Sequence, residues 1–282
     1  MEDTNNSATE FPHTAEENRR IWDVNALWWD DRVGDGNGFQ DLLIEPATER
    51  LLEIGPGDVV LDIACGAGRM ARRIASAGAR VVAFDQSRRF IERAQSRTGP
   101  EVVVEYHVAN AADPVWFASL GHDSFDKAVC TMALMDMPEI RPLATLLPRV
   151  LKRAGVFVFS LTHPCFHTPR TQRFAEVHDD DAGRTEIHNG VKVFSYLTPF
   201  AAKTQGIIGQ PEPQYYFHRP LQTLLRPFLE SGFMLDGIEE PCLPVPEEKK
   251  ASTRWSDMPD VAPILVVRLR LLRDSAPAVH EE

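Results

Sequence analysis

Between Val59 and Leu161 the chain alternates short apolar runs with stretches of helical spacing. The runs are Val59 to Ala64, Arg80 to Phe84, Val102 to Val108, Lys127 to Met132 and Val156 to Leu161. Continuous apolar runs of this length, bounded by turn residues, predict buried strands. The intervening stretches carry helix punctuation. Gly78 ends the first helix, and Ser87 caps the second, which turns Phe90, Ile91 and Ala94 inward and stops at Gly99-Pro100. Asp113-Pro114 reads as an N-cap followed by proline at the first helical position. A helix over Glu139 to Lys152 contains Pro148, so a kink is expected. Strands alternating with helices predict a parallel α/β sheet.

The flanks follow other patterns. Residues 1–13 are polar and aperiodic and are expected to form a disordered tail. Thr14-Ala15-Glu16-Glu17 has capping-box form and opens a helix through Asp30. Ile21, Trp22, Val24, Trp28 and Trp29 cover its broad apolar face, which suits a helix docked on the core or an aromatic lid over a ligand. Gly34, Gly36 and Gly38 read as a flexible joint before a second helical stretch that ends at Gly55-Pro56-Gly57.

After Leu161 the alternation stops. Residues 162–217 are irregular, with a hairpin signal in which Asn189-Gly190 turns between Thr185 to His188 and Val191 to Phe194. So long an irregular stretch after a core strand reads as functional or mobile, here as an insertion covering a substrate. A helix on Leu221, Leu224, Leu225, Phe228 and Leu229 follows, then strands over Phe233 to Glu239 and Ile264 to Leu272. The expected division is a helical lid over 14–57, a main domain over 58–273 and a polar tail over 274–282.

Composition narrows the functional classes. The chain has 282 residues and a net charge of −11, which argues against a nucleic-acid partner despite local arginines at Arg69, Arg72, Arg73, Arg88 and Arg89. Cys65, Cys130, Cys165 and Cys242 are scattered and suggest neither disulfides nor zinc. His178 and His188 flank Asp179-Asp180-Asp181, which reads as a solvated loop rather than a metal site. No apolar run is long enough to span a bilayer, so a cytoplasmic location with no membrane partner is expected. A homodimer through the insertion is left open.

The chemistry concentrates where the first strand ends. Gly66-Ala67-Gly68-Arg69-Met70-Ala71 fits the dinucleotide fingerprint, and Asp85 follows at a distance suited to ribose hydroxyls, so a nicotinamide enzyme has to be weighed. Asp62 argues against it. A carboxylate inside the strand repels a diphosphate and is costly to bury unpaired, whereas a cationic ligand reverses both effects. Two acids with no phosphate-binding Lys or Arg suit a ligand that has a ribose and positive charge but no phosphate, as S-adenosylmethionine does.

In these motifs the chain resembles the class I S-adenosylmethionine-dependent methyltransferases of the ubiquinone/menaquinone-biosynthesis-like small-molecule group. Leu61-Asp62-Ile63-Ala64-Cys65-Gly66-Ala67-Gly68 matches the family's first motif, with Ala64 where glycine is usual. Phe84-Asp85-Gln86-Ser87, running on to Phe90, matches the second. The resemblance implies that Asp85 takes the ribose hydroxyls while Gln86 and Phe90 flank the adenine. It likewise implies that Asn110 and Ala111 stand at the adenine edge and that Cys130 and Thr131 lie under the methionine. It also implies a Rossmann-like, doubly wound, mostly parallel seven-stranded sheet, with N-terminal helices and an insertion after strand five.

The expected function is methyl transfer from S-adenosyl-L-methionine to an O, N or C nucleophile of a small metabolite, leaving S-adenosyl-L-homocysteine. The alternatives are a cofactor-binding protein of the same fold that transfers no methyl group, and, more remotely, an NAD-dependent oxidoreductase. Such a transfer aligns nucleophile and methyl and excludes water, sometimes with a general base. His163, directly after strand five, and His218 are the candidate bases. Trp28, Trp29, Leu134, Met135, His167, Tyr215 and Arg219 are the candidate substrate-side residues.

Overall fold

In the computed structural model the described residues are 10–248 and 250–272. The expected tail over 274–282 and the first nine residues of the N-terminal one lie outside them.

Seven strands form one sheet in the order β10-β11-β5-β4-β1-β2-β3. They are β1 (Val59–Ile63), β2 (Arg80–Asp85), β3 (Val104–Val108), β4 (Phe125–Thr131), β5 (Leu151–Thr162), β10 (Phe233–Glu239) and β11 (Ile264–Leu271). β1 to β5 pair in parallel, whereas β11 runs antiparallel to both β5 and β10. Side chains alternate across the sheet. Leu61, Ile63, Cys130, Phe157 and Phe159 face one apolar layer, and Val60, Val81, Val129 and Val158 face the other. The first layer takes Leu143 and Leu147 of α6 (Arg141–Val150) and Phe228 of α7 (Leu221–Glu230). The second takes Leu52 of α2 (Glu45–Leu52) and Met70 and Ile74 of α3 (Arg69–Ser76). Each fully buried Leu, Val or Phe contributes about 1.5–3 kcal/mol, so two filled layers account for the parallel core.

Local caps form largely as their residues dictate. The Ser87 hydroxyl accepts from the Phe90 amide at 3.3 Å to open α4 (Arg88–Arg97). Asp113 accepts from the amides of Val115 and Trp116 to open α5 (Pro114–Ser119). α6 carries Pro148 without being divided.

The N-terminal region departs from expectation. α1 spans Ala15–Val33, but no capping box forms. The Thr14 hydroxyl donates to the Phe11 carbonyl at 2.8 Å, and Glu17 instead receives the Lys203 ammonium and the Tyr215 hydroxyl, each at 2.6 Å. Residues 10–13, expected as tail, are docked: Phe11 stacks on Phe217, and its amide donates to the Pro138 carbonyl at 2.9 Å. Gly34 and Gly36 make a crowded turn rather than a free joint. A Cβ on Gly34 would lie 2.7 Å from Arg97 Nη2, and one on Gly36 2.7 Å from Arg69 Nη2.

The insertion is ordered into two ribbons, β6 (Thr171–Asp179) with β7 (Thr185–Val193) and β8 (Phe200–Thr204) with β9 (Gln214–His218). The hairpin expected at Asn189-Gly190 is corrected. β7 runs straight through both residues, opposite Ala175 and Phe174 of β6. The turn lies instead where Asp180 accepts from the Ala182 and Arg184 amides, both at 2.9 Å. Tertiary contacts override the local signal. Asn189 Nδ2 donates to the carbonyls of Lys250 at 2.7 Å and Asp257 at 2.9 Å, and Gly190 leaves room for the Phe174 ring.

Candidate active site

The carboxyl end of β1 opens into a loop with three left-handed residues, Ala64 (φ 55°), Gly66 (φ 53°) and Gly68 (φ 75°). Glycine meets that demand without strain, and Gly68 has a second reason, since a Cβ there would come within 2.4 Å of the Tyr106 hydroxyl. Asp85, at the end of β2, organises the loop. One of its oxygens accepts from the Gly66 amide at 3.0 Å and the other from the Ser87 amide at 2.8 Å. A carboxylate accepts about four hydrogen bonds, so Asp85 keeps lone pairs for a ligand.

Above this loop lies a cavity of about 260 Å³. Of the residues singled out from the sequence, Asp62, Ala64, Cys65, Gly66, Asp85, Gln86, Phe90, Asn110, Ala111, Thr131 and Trp29 line it. Its roof comes from Trp22, Trp29 and Asp30 of α1 and from Gln40, Ile44 and Glu45 around the start of α2.

The acids lack compensation. Asp62 is 1% exposed, and neither of its oxygens makes a hydrogen bond of good geometry. Burial, then the neighbouring Asp85, pushes its carboxyl up to about 8. Burial raises Asp85 to about 6, against the pull of the Ser87 and Gly66 amides. Thr131 Oγ1, Trp29 Nε1 and Gln40 Oε1, on residues of the same wall, also lack partners. Among the described residues, Arg69 is the one basic side chain on the wall, and Glu45 and Asp41 already hold it. A diphosphate would therefore meet carboxylates and no free cation. A ribose-bearing cation without phosphates fits: Asp62 is an unpaired acceptor for positive charge, and Asp85 has lone pairs for hydroxyls.

The sheet decides against a dinucleotide fold as well. A dinucleotide-binding sheet runs 3-2-1-4-5-6 in parallel, whereas here antiparallel β11 intervenes between β5 and β10. Residues 61–159 match the family described as "Methyltransferase domain". A crystal structure of an S-adenosylmethionine-dependent methyltransferase from Mesorhizobium loti is 27% identical, with a TM-score of 0.60 over 80% of this chain and 96% of that one. Residues 61–159 thus carry a methyltransferase domain, set on the sheet of the Rossmann-like methyltransferase fold. A demethylmenaquinone methyltransferase of Clavibacter sepedonicus is 34% identical over 118 residues, 42% of this chain and 46% of that protein. An uncharacterised protein of Mycobacterium tuberculosis is 33% identical over 103 residues. The match to that protein and its counterparts covers 36% of their length.

Several residues expected in the site of this methyltransferase domain lie elsewhere. Cys130 faces the core, and Gly68 serves packing and backbone conformation. Leu134 and Met135 are core residues, and Trp28 is not on the cavity wall. Both candidate bases are corrected. His163 is 2% exposed; its Nδ1 accepts from the Cys165 amide at 3.1 Å, so Nε2 carries the proton and donates to Glu240 at 2.8 Å. His218 Nε2 donates to the Tyr196 carbonyl at 2.7 Å, with its ring stacked on Phe200. Burial lowers both imidazoles, and neither lines the cavity. His167 bonds the Pro263 carbonyl against Trp255, and Tyr215 bonds Glu17. Buried Arg219 clasps the turn after β4 by donating to the carbonyls of Met137 and Pro138.

Sequence reasoning missed Gln40, Glu45, Arg69, Met132 and Asp136 on the wall. Asp136 had a readable signal, being a lone acid within Met132-Ala133-Leu134-Met135-Asp136-Met137 directly after a predicted core strand.

Proposed function

We propose that this protein binds S-adenosyl-L-methionine in the cavity above β1 and transfers its methyl group to a small-molecule acceptor. The observation that carries the reading is Asp62, a buried carboxyl with unfilled oxygens on the wall, beside the loop that Asp85 ties down. When bound, the cofactor supplies an electrophilic methyl group on a positively charged sulfur. In this reading Asp85 accepts from the ribose hydroxyls, and Gln86 and Phe90 flank the adenine. Asn110, whose Oδ1 already accepts from the Ala112 amide at 2.9 Å, presents its remaining groups to the adenine edge. Asp62 favours the cationic end. Trp22, Trp29 and the rest of the α1 roof exclude water, which strengthens each of these interactions. The small-molecule substrate is supported by the modest volume of the cavity, about 260 Å³, and by the likeness to a demethylmenaquinone methyltransferase. No helix among the described residues is long and apolar enough to cross a membrane.

Calorimetric titration tests the cofactor. S-adenosylmethionine is expected to bind at least tenfold more tightly than NAD, and Asp85→Ala is expected to abolish binding and turnover together. Tighter NAD binding would overturn the reading. Cofactor binding with no labelled-methyl transfer to any compound of a metabolite extract would leave a binding module.

A further inference from the structure

Three acids on the cavity wall, Asp62, Asp85 and Asp136, are buried and bonded to no basic side chain. The cofactor accounts for the first two, which stand at adjacent strand ends around the glycine loop. Asp136 is left over. It closes the turn Leu134–Asp136 directly after β4, so it shares the wall with Thr131, Met132 and Ala133.

Three elements meet at this residue. From the insertion, Gln214 Nε2 of β9 donates to Asp136 Oδ1 at 3.3 Å. From the roof, Asn18 Nδ2 of α1 donates to its main-chain carbonyl at 2.9 Å. The second carboxyl oxygen has no donor among the described residues, and the oxygens of both amides, Asn18 Oδ1 and Gln214 Oε1, also lack partners. Asp136 therefore stands among unfilled acceptors, with no basic side chain bonded to it. Nearby Arg219 makes no bond to Asp136: its terminal nitrogens go to the carbonyls of Leu134, Met137 and Pro138 and to Glu10, and its Nε has no partner among the described residues. An unpaired buried carboxyl is destabilising, and a cationic partner that offers several N–H donors removes the deficit.

We propose that Asp136 binds the methyl acceptor, and that the acceptor presents a primary amine docked on this carboxylate as its ammonium. The proposal rests on the cofactor reading above. During transfer the ammonium gives one proton to the Asp136 carboxylate. The freed nitrogen lone pair forms the bond to the methyl carbon as the carbon–sulfur bond breaks, and that bond's electron pair stays on sulfur. The products are an N-methylammonium and an uncharged thioether, and the proton on Asp136 leaves with solvent exchange.

The test uses the full chain with saturating S-adenosylhomocysteine and calorimetric titration of three probes on one carbon skeleton: benzylamine, benzyl alcohol and benzoate. Benzylamine is expected to bind at least tenfold more tightly than the other two. Asp136→Asn is expected to erase that preference while changing the affinity for S-adenosylhomocysteine less than twofold. Equal binding of benzylamine and benzyl alcohol, absence of both included, overturns the proposal, as does a preference that survives in Asp136→Asn. A tenfold loss of S-adenosylhomocysteine affinity in the variant would assign Asp136 to the cofactor instead. Failure of the unsubstituted protein to bind S-adenosylhomocysteine would be a separate result, removing the cofactor reading and this proposal with it. Should Asp136→Asn not fold, Asp136→Ser carries the comparison.

Discussion

Ala64 and Asp62 show how closely single residues are tied to the cavity. Ala64 adopts φ 55° where the loop leaves β1, a conformation that opposes a Cβ by about 1–2 kcal/mol. Ala64→Gly is expected to raise the stability of the empty protein by about 0.5–1 kcal/mol, read from denaturant midpoints at constant m-value. Asp62 acts through protons. Its carboxyl titrates near 8 in the fold, above the ordinary value of 3.8, so the folded state binds more protons than the unfolded state between those limits. Its contribution is present at low pH and is lost as pH rises toward 8. Asp85, near 6, adds the same sign over the lower part of that window. The melting temperature of the empty protein is therefore expected to fall between pH 6 and 8, with a smaller fall in Asp62→Asn. Binding of the cationic cofactor is expected to tighten over the same interval. An identical pH slope in the variant would show that Asp62 does not titrate there. Asp62 was legible in the sequence as an acid inside an apolar run. Asp136 was marked in the same way, but nothing local told that Gln214 and Asn18 would meet it.

At the scale of elements, β1 to β4 and the caps of α4 and α5 follow from local periodicity and capping residues, and the bounds of those strands agree to within about two residues. β5 begins earlier than expected, at Leu151, with a register shift against β4 between its Leu151 and Val156 pairings. The insertion shows where local rules fail. Asn-Gly is a strong turn signal when nothing else competes for it, yet Asn189 holds two carbonyls of the segment before β11. Asn189→Ala is expected to cost about 1–2 kcal/mol by leaving those carbonyls without their donor. It should also speed hydrogen exchange around residues 250–257, measured by mass spectrometry. Unchanged exchange there would mean that the anchors contribute nothing.

Over the whole molecule, charge holds the roof to the core. Acids of the N-terminal region, Asp23, Asp30, Asp31, Asp41, Glu45 and Glu49, face arginines of α3 and α4. Arg69 and Arg73 pair with Glu45, and Arg93 and Arg97 pair with Asp30. The Asp30 side chain is fully buried between its two arginines, a setting in which removing one partner costs about 3 kcal/mol or more. Asp30→Asn is therefore expected to lower the melting temperature, to loosen α1, and to red-shift the emission of Trp22 and Trp29 as water reaches them. An unshifted spectrum with unchanged stability would show that the pairing does not hold the roof.

The sequence alone determined the α/β order, the glycine loop and the acids at the strand ends, because each depends on residues close together in the chain. Helical and strand periodicity, caps, and an acid inside an apolar run are all local. Tertiary structure decided the rest: that α1 covers the cavity, that His163 and His218 are held away from it, that β7 passes through an Asn-Gly step, and that Asp136 is buried without a cation. Each of those outcomes is set by partners far away in sequence, such as Glu240 for His163 and Gln214 for Asp136. Burial and pairing, unlike periodicity, exist only once the chain has closed on itself.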